Sequence, residues 1–254
     1  MRKIVKGVCK MNKTFQQQLT MYIAFFIMIG VNILANVLPL NGYTRGDVAH
    51  LYDVLIVPAG YTFSIWSLIY IGLFIWLICF SLKKHEISQS AFVTFIISCI
   101  FNIAWIFAWH YLFNGIAVII ITLHFISVLT LYILQGHKKT TKWAQAPFSM
   151  YVGWLMVAAI VNILYYLVSV IHISYATQLS YTYLALCIII IIGISLLFFW
   201  KDWIIQAVFI WSFIGIIVKN AQDNFVLSIV TTIFAVFLIG ATVFLLKKQK
   251  NHHL

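Results

Sequence analysis

The chain has 254 residues, 64% of them hydrophobic and only 8% charged, with a mean hydropathy of +1.04. A soluble domain of this size needs far more charge on its surface, and a β-barrel would alternate rather than run apolar for twenty residues, so both are excluded. The net charge of +11 does not point to nucleic acid, because the basic residues sit between apolar runs and at the termini; what remains is an all-α, polytopic transmembrane helical bundle.

Residues 1–18 form a polar tail carrying Arg2, Lys3, Lys6, Lys10 and Lys13. Leu19 to Leu38 is apolar, long enough to span and too long for a signal-peptide core, so it reads as a retained first helix. Asn32 and Asn36 lie one turn apart on it and mark an interior face. A loop from Pro39 to Val57 holds Arg45, Asp47, His50 and Asp53. The second helix runs from about Tyr61 to Leu82 and is closed by Lys83, Lys84, His85 and Glu86. The third, about Ser90 to Phe113, reaches an expected tight turn at Asn114-Gly115. The fourth covers about Ile116 to Leu134, and a basic loop follows with Lys138, Lys139 and Lys142. The fifth begins near Ala146-Pro147, with the proline in its first turn, and continues to about Val170. A short loop with His172 precedes the sixth, about Ser180 to Trp200. The seventh, about Trp203 to Val218, is near the short limit for a span, and the eighth covers Phe225 to Leu246.

With eight spans and the N-terminus inside, 14 of the 16 Lys and Arg residues fall on the cytoplasmic side, leaving Arg45 and Lys219 outside. That asymmetry is the one cytoplasmic loops show. The expected location is the cell membrane, multi-pass, with both termini cytoplasmic. Richness in Ile, Lys and Asn hints at a bacterial source.

All five acids, Asp47, Asp53, Glu86, Asp202 and Asp223, fall in loops or at helix ends. Ion-coupled transporters place ionisable groups near the midplane, so this pattern argues against an ion-driven pump. His124 is the one titratable group deep in a helix, and it reads as hydrogen-bonded to a neighbouring helix rather than as a proton relay. Cys9, Cys79, Cys99 and Cys187 are far apart and form no metal spacing. No soluble-enzyme constellation, phosphate loop or metal site is evident, and no cofactor is required.

Three helices carry aromatic stripes with hydrogen-bonding groups on one face. The second has Phe63, Trp66 and Tyr70 at i, i+3, i+7, and the third has Asn102, Trp105 and Trp109 at the same spacing. The fifth has Tyr151, Trp154, Ala158 and Asn162. If the stripes converge they line a flat, apolar pocket with a few amide donors, suited to a large planar aromatic or sterol-like ligand. Periodicity alone favours ordinary packing, with Asn as interhelical glue.

At these residues the sequence resembles the tryptophan-rich sensory protein/translocator protein family (TspO/MBR). The loop into the second helix matches through Pro58, Tyr61, Phe63, Trp66 and Tyr70. The third helix matches through Asn102-x-x-Trp105, and the fifth through Tyr151-x-x-Trp154 with Asn162 eight residues on. The resemblance covers about Leu19 to Val170. There are departures: the family's proline pair is Pro58-Ala59 here, the Phe63-to-Trp66 segment is one residue shorter, and Met150 stands where a proline precedes the tyrosine.

The resemblance implies a five-helix core (19–172), followed by a three-helix C-terminal extension with a basic tail (173–254). It also implies a ligand-binding sensor or regulator, more a binding protein than an enzyme, that takes a tetrapyrrole such as protoporphyrin or a haem-like molecule, or another planar hydrophobic compound. The implied ligand-binding residues are Trp66, Tyr70, Asn102, Trp105, Tyr151, Trp154 and Asn162. Arg45 and His50 are lid-loop candidates that would offer charge to porphyrin propionates. Expected partners are the lipid bilayer, a hydrophobic small molecule and a second copy of the chain. The alternatives are a permease for a hydrophobic molecule and a light-dependent porphyrin-degrading enzyme.

Overall fold

The computed structural model describes residues 2–38, 40–82, 87–135 and 142–251. The expected helix stop at Lys83 to Glu86 and the loop lysines Lys138 and Lys139 lie outside the described residues. Among the described residues the elements are α1 (Arg2–Val37), α2 (Arg45–His50), a 3₁₀ turn (Gly60–Ser64), α3 (Ile65–Leu82), α4 (Gln89–His110), α5 (Asn114–Leu134), α6 (Lys142–Ser169), α7 (Tyr175–Trp200), α8 (Trp203–Asn220) and α9 (Phe225–Asn251). Eight of the helical segments are long and apolar enough to cross a membrane, in the eight places the hydropathy pattern predicts. The chain is therefore a multi-pass helical membrane protein.

Element boundaries differ from expectation at several points: residues 60–64 form a 3₁₀ turn, so α3 starts at Ile65 rather than Tyr61, and α9 runs to Asn251 rather than Leu246. α1 starts at Arg2, so the helix continues through the polar tail, although the apolar part begins only at residue 14. The loop after it is not wholly irregular. Thr44 and Asp47 make a reciprocal capping box, the Asp47 N–H donating to Thr44 Oγ1 at 3.3 Å and the Thr44 N–H to Asp47 Oδ2 at 2.8 Å, and this nucleates α2.

The turn placed at Asn114-Gly115 falls earlier. α4 closes through Phe113 N–H to Ala108 O at 2.9 Å and Leu112 N–H to Trp109 O at 3.2 Å, a Schellman pattern with Leu112 at φ 58° where glycine is usual. Asn114 is thereby released to open α5, and its amide donates to Ser169 Oγ at 2.9 Å.

α6 begins one turn before expectation, at Lys142, so Pro147 lies in its second turn. The proline ring packs on Gly72 of α3, where a Cβ would stand 3.1 Å from Pro147 Cγ. Lastly, α7 starts at Tyr175, because Ser174 caps it by accepting the Thr177 N–H at 3.2 Å.

α6 is the central helix. It packs on α5 and α3 on one side and on α8 on the other, while α4 lies between α1 and α5. Its span is 67% buried, against 17% for α9, which packs mainly on α8 and α7. Small residues make this close packing possible. A Cβ on Gly153 would come within 3.2 Å of Val208 Cβ of α8, so glycine there sets how near the two helices approach.

Candidate functional site

The three stripes meet. Trp66 of α3, Trp105 of α4 and Trp154 of α6 are each at least 96% buried, and they touch one another rather than hydrocarbon. Trp66 stacks at an offset on Trp105, with centroids 5.9 Å apart and planes 28° apart, and meets Trp154 edge-on at 6.1 Å and 89°. Phe63 approaches Trp154 edge-on at 5.9 Å. These are the two arrangements that aromatic quadrupoles prefer. Trp109 extends the stack from Trp105 at 5.8 Å.

Beside the stack runs a buried chain of amides and hydroxyls. Asn32 Nδ2 donates to Asn102 Oδ1 at 2.7 Å, and the Tyr70 hydroxyl donates to Asn32 Oδ1 at 2.8 Å. Asn102 Nδ2 donates to the hydroxyls of Tyr70 at 3.1 Å and Tyr151 at 3.2 Å. The Tyr151 hydroxyl and His124 Nε2 are 2.8 Å apart. Each residue comes from a different helix: α1, α3, α4, α6 and α5. A single network thus links all five of the first five spans, with Asn102 as its hub. Buried polar groups in lipid need such partners, because water does not supply them. His124 takes the role its isolation predicts, bonded to a neighbouring helix. Trp105 Nε1 donates to Asn162 Oδ1 at 3.1 Å, so the two members of different stripes hold each other in register.

Of the seven expected ligand-binding residues, Trp66, Trp105, Trp154 and Asn162 line one cavity, whereas Tyr70, Asn102 and Tyr151 lie in the hydrogen-bonded network beside it, and the arrangement is tight. The stack encloses a cavity of only about 20 Å³, walled by Trp66, Trp105, Trp154 and Asn162 and roofed by Ala49, Pro58 and Phe63. That volume is room for roughly one water. The Trp154 indole N–H, buried at this wall, has no acceptor among the described residues. Larger depressions lie outside the stack: a half-polar crevice of about 340 Å³ between α1 and α3, which shares Phe63 and Trp66 with the cavity, and an apolar groove of about 510 Å³ between α3, α6 and α8. The small cavity is the candidate site because three indoles meet Asn162 there, while Asn32 and Tyr70 of the amide network line the crevice between α1 and α3.

Of the two lid-loop candidates, the Arg45 side chain lies outside the described residues. His50 is exposed and stands beside Gly60, while its neighbour Ala49 forms the cavity wall. The His50 pKa is lowered, first by partial withdrawal from water and then by the positive charge of Lys219, with Asp47 opposing. This reduces the positive charge the ring can offer an anion. Asp47 has its pKa lowered by the Thr44 hydroxyl and backbone hydrogen bonds that form the cap.

The family of TSPO-like proteins matches residues 18–244. The chain belongs to that family. The match runs well past Val170, where the motif resemblance ends, and takes in α7, α8 and most of α9, so the last three spans are part of what this TSPO-like chain shares with its family. No curated protein and no solved structure matches the chain.

Sequence reasoning missed a set of residues in this TSPO-like protein that touch the cavity roof. Gln178, Trp211, Lys219 and Asn220 of the last three spans all bond to the segment between Asp53 and Thr62. For Gln178, Lys219 and Asn220 the available signal was a polar side chain near the end of an otherwise apolar span, which has to find a partner; Trp211 lies mid-helix and offered only its indole N–H.

Proposed function

We propose that this TSPO-like protein is a membrane sensor or regulator that binds a planar, hydrophobic small molecule, of the tetrapyrrole class, between Trp66 and Trp154. The observation that carries the reading is the convergence of three indoles on one small void beside a fully bonded amide network. Flat aromatic walls favour a flat aromatic ligand, and the Trp154 N–H, short of an acceptor, favours one that brings a carbonyl or carboxylate oxygen. Drug-sized ligands occupy roughly 300–1,000 Å³. A void of about 20 Å³ therefore demands that the roof over it lift and that Phe63 and Trp66 part from Trp154 when the ligand arrives. Binding on this reading is coupled to opening. We also propose that both termini face the cytoplasm, on the strength of the Lys and Arg asymmetry.

The test is titration of protoporphyrin IX into the purified protein in detergent or nanodiscs, followed by quenching of tryptophan fluorescence. Saturable quenching is expected. Trp66→Ala and Trp154→Ala should each weaken binding by about tenfold, the loss of roughly one stacking contact with its buried area. Absence of saturable binding, or affinity unchanged in both variants, overturns the reading.

A further inference from the structure

The segment that roofs the aromatic cavity belongs to the first half of the chain, but the second half holds it. Leu55 N–H donates to Gln178 Oε1 of α7 at 2.7 Å, and Gln178 Nε2 returns a bond to Asp53 O at 3.2 Å. Along α8, Trp211 Nε1 donates to Thr62 O at 3.0 Å, Lys219 Nζ to Val54 O at 2.6 Å, and Asn220 Nδ2 to Leu55 O at 3.0 Å. The backbone of α8 joins in, as Gly215 O accepts the Ala59 N–H at 3.0 Å. Val54, Leu55, Ile56 and Val57 are wholly buried beneath these contacts.

Two details tie this grip to the cavity rather than to packing in general. Pro58 lines the cavity on one side and lies against Gly215 on the other. A Cβ on Gly215 would stand 2.7 Å from Pro58 Cβ and would overlap the Thr62 hydroxyl, so the roof can seat only because that residue has no side chain. The acceptors on the roof are mostly backbone carbonyls, and the donors are Gln, Trp, Lys and Asn side chains. The roof is therefore fixed by a set of separate hydrogen bonds in addition to the burial of Val54 to Val57.

We propose that α7 and α8 serve as the latch of the cavity: Gln178, Trp211, Gly215 and Asn220 are positioning residues that keep the 53–62 segment seated, and ligand access requires this latch to release. The part concerning ligand rests on the function proposed above. The latch itself does not, and the two are separable by experiment. A purely structural role for α7 and α8 would be felt throughout the bundle. A latch is felt at the roof and in the rate of ligand association.

The experiment uses the full chain in nanodiscs, as wild type, Gly215→Ala, Trp211→Phe and Asn220→Leu. Trp211→Phe keeps an aromatic ring at the position and removes the N–H together with the pyrrole half of the indole, and it stands in if Gly215→Ala fails to fold. Hydrogen–deuterium exchange is read over residues 54–63 and, as an internal control, over α4. Stopped-flow quenching with protoporphyrin IX gives the association rate. In the variants, exchange over 54–63 should rise about tenfold while α4 stays within about twofold, as for a local opening, and association should accelerate by a similar factor. Roof exchange unchanged in both Gly215→Ala and Trp211→Phe overturns the latch, as does exchange rising equally across α4. Roof exchange that rises while porphyrin binds at an unchanged rate overturns its gating role. Roof exchange that rises while porphyrin fails to bind wild type or variants supports the latch as the holder of the roof and overturns only the ligand reading.

Discussion

The first five spans and the last three are held by different chemistry. The first five are joined at depth: Asn32, Tyr70, Asn102, Tyr151 and His124, one per helix, close a hydrogen-bonded chain inside the apolar region. The last three are joined to them through α7 and α8, by bonds at the ends of α8 and along the side of it that faces the roof. At one end of α8 the Asp202 carboxylate accepts from the hydroxyls of Tyr132 at 2.8 Å and Ser149 at 2.5 Å and from the Ile204 N–H at 3.0 Å. At the other end Lys219 and Asn220 grip the roof. Between these ends α8 meets α6 through apolar packing at Gly153, Ile205 and Val208. Mid-helix, the Trp211 N–H and the Gly215 carbonyl add bonds to Thr62 and Ala59, so the side of α8 toward the roof is held by hydrogen bonds along much of its length and the side toward α6 by close packing.

The largest expected effect comes from removing the hub. Asn102→Leu deletes three side-chain bonds, taking one partner each from Tyr70 and Tyr151 and one of several from Asn32, in a dry interior. Interhelical hydrogen bonds in membranes average about 0.6 kcal/mol each, so a loss of about 2 kcal/mol is expected. Thermal unfolding in detergent measures it. A change inside about 0.5 kcal/mol, the range of an ordinary surface substitution, would show that the network is incidental to the core.

Asp202→Ala should do less and do it elsewhere. It removes the N-cap of α8 and the acceptor for Tyr132 and Ser149. Loss of a cap costs about 1 kcal/mol and each rim hydroxyl bond somewhat less, so about 1–2 kcal/mol is expected. Amide exchange should rise at the start of α8 and stay flat around Asn102. If exchange rises instead at Asn102, the division into a deep-bonded core and an extension bonded through α7 and α8 is wrong.

Much of this contrast was legible in the sequence, and the rest was hidden for a physical reason. Spans announce themselves by length and apolarity, and the stripes by helical period, so Trp66, Asn102, Trp105, Tyr151 and Trp154 could be placed on inward faces from spacing alone. Asn32 was marked as interior because an amide has no use for lipid. The latch was not legible. Gln178 and Asn220 bond to backbone 123 and 165 residues away, and a carbonyl acceptor leaves no mark on the residue type that bears it. The turn after α4 was misplaced because Asn114-Gly115 is a strong turn signal, whereas Leu112 took the left-handed position. The cavity volume was equally out of reach, since it depends on how three indoles settle against one another after the helices have docked.

The smallest expected effect concerns pH at the roof. His50, next to the cavity-lining Ala49, holds its proton less tightly in the folded chain than the ordinary value of 6.5, because it is partly withdrawn from water and faces the charge of Lys219. Below 6.5 and down to the lowered value, the unfolded segment binds more protons than the folded one, so stability rises with pH through that window and falls as the medium is acidified. The loop should be at full strength above pH 6.5 and loosen beneath it. Asp47 acts in the same sense, since its lowered pKa also makes stability fall on acidification, but only well below this range: it stays ionised at pH 5.5, so the Thr44 cap is intact there and cannot be the cause. Because the imidazole is exposed, the effect is modest, roughly a twofold rise in exchange over 45–56 between pH 7.5 and 5.5 after correction for intrinsic rates. His50→Gln should abolish the difference. If the difference survives that substitution, the titrating group lies elsewhere, and the roof is governed by the latch on α7 and α8 alone.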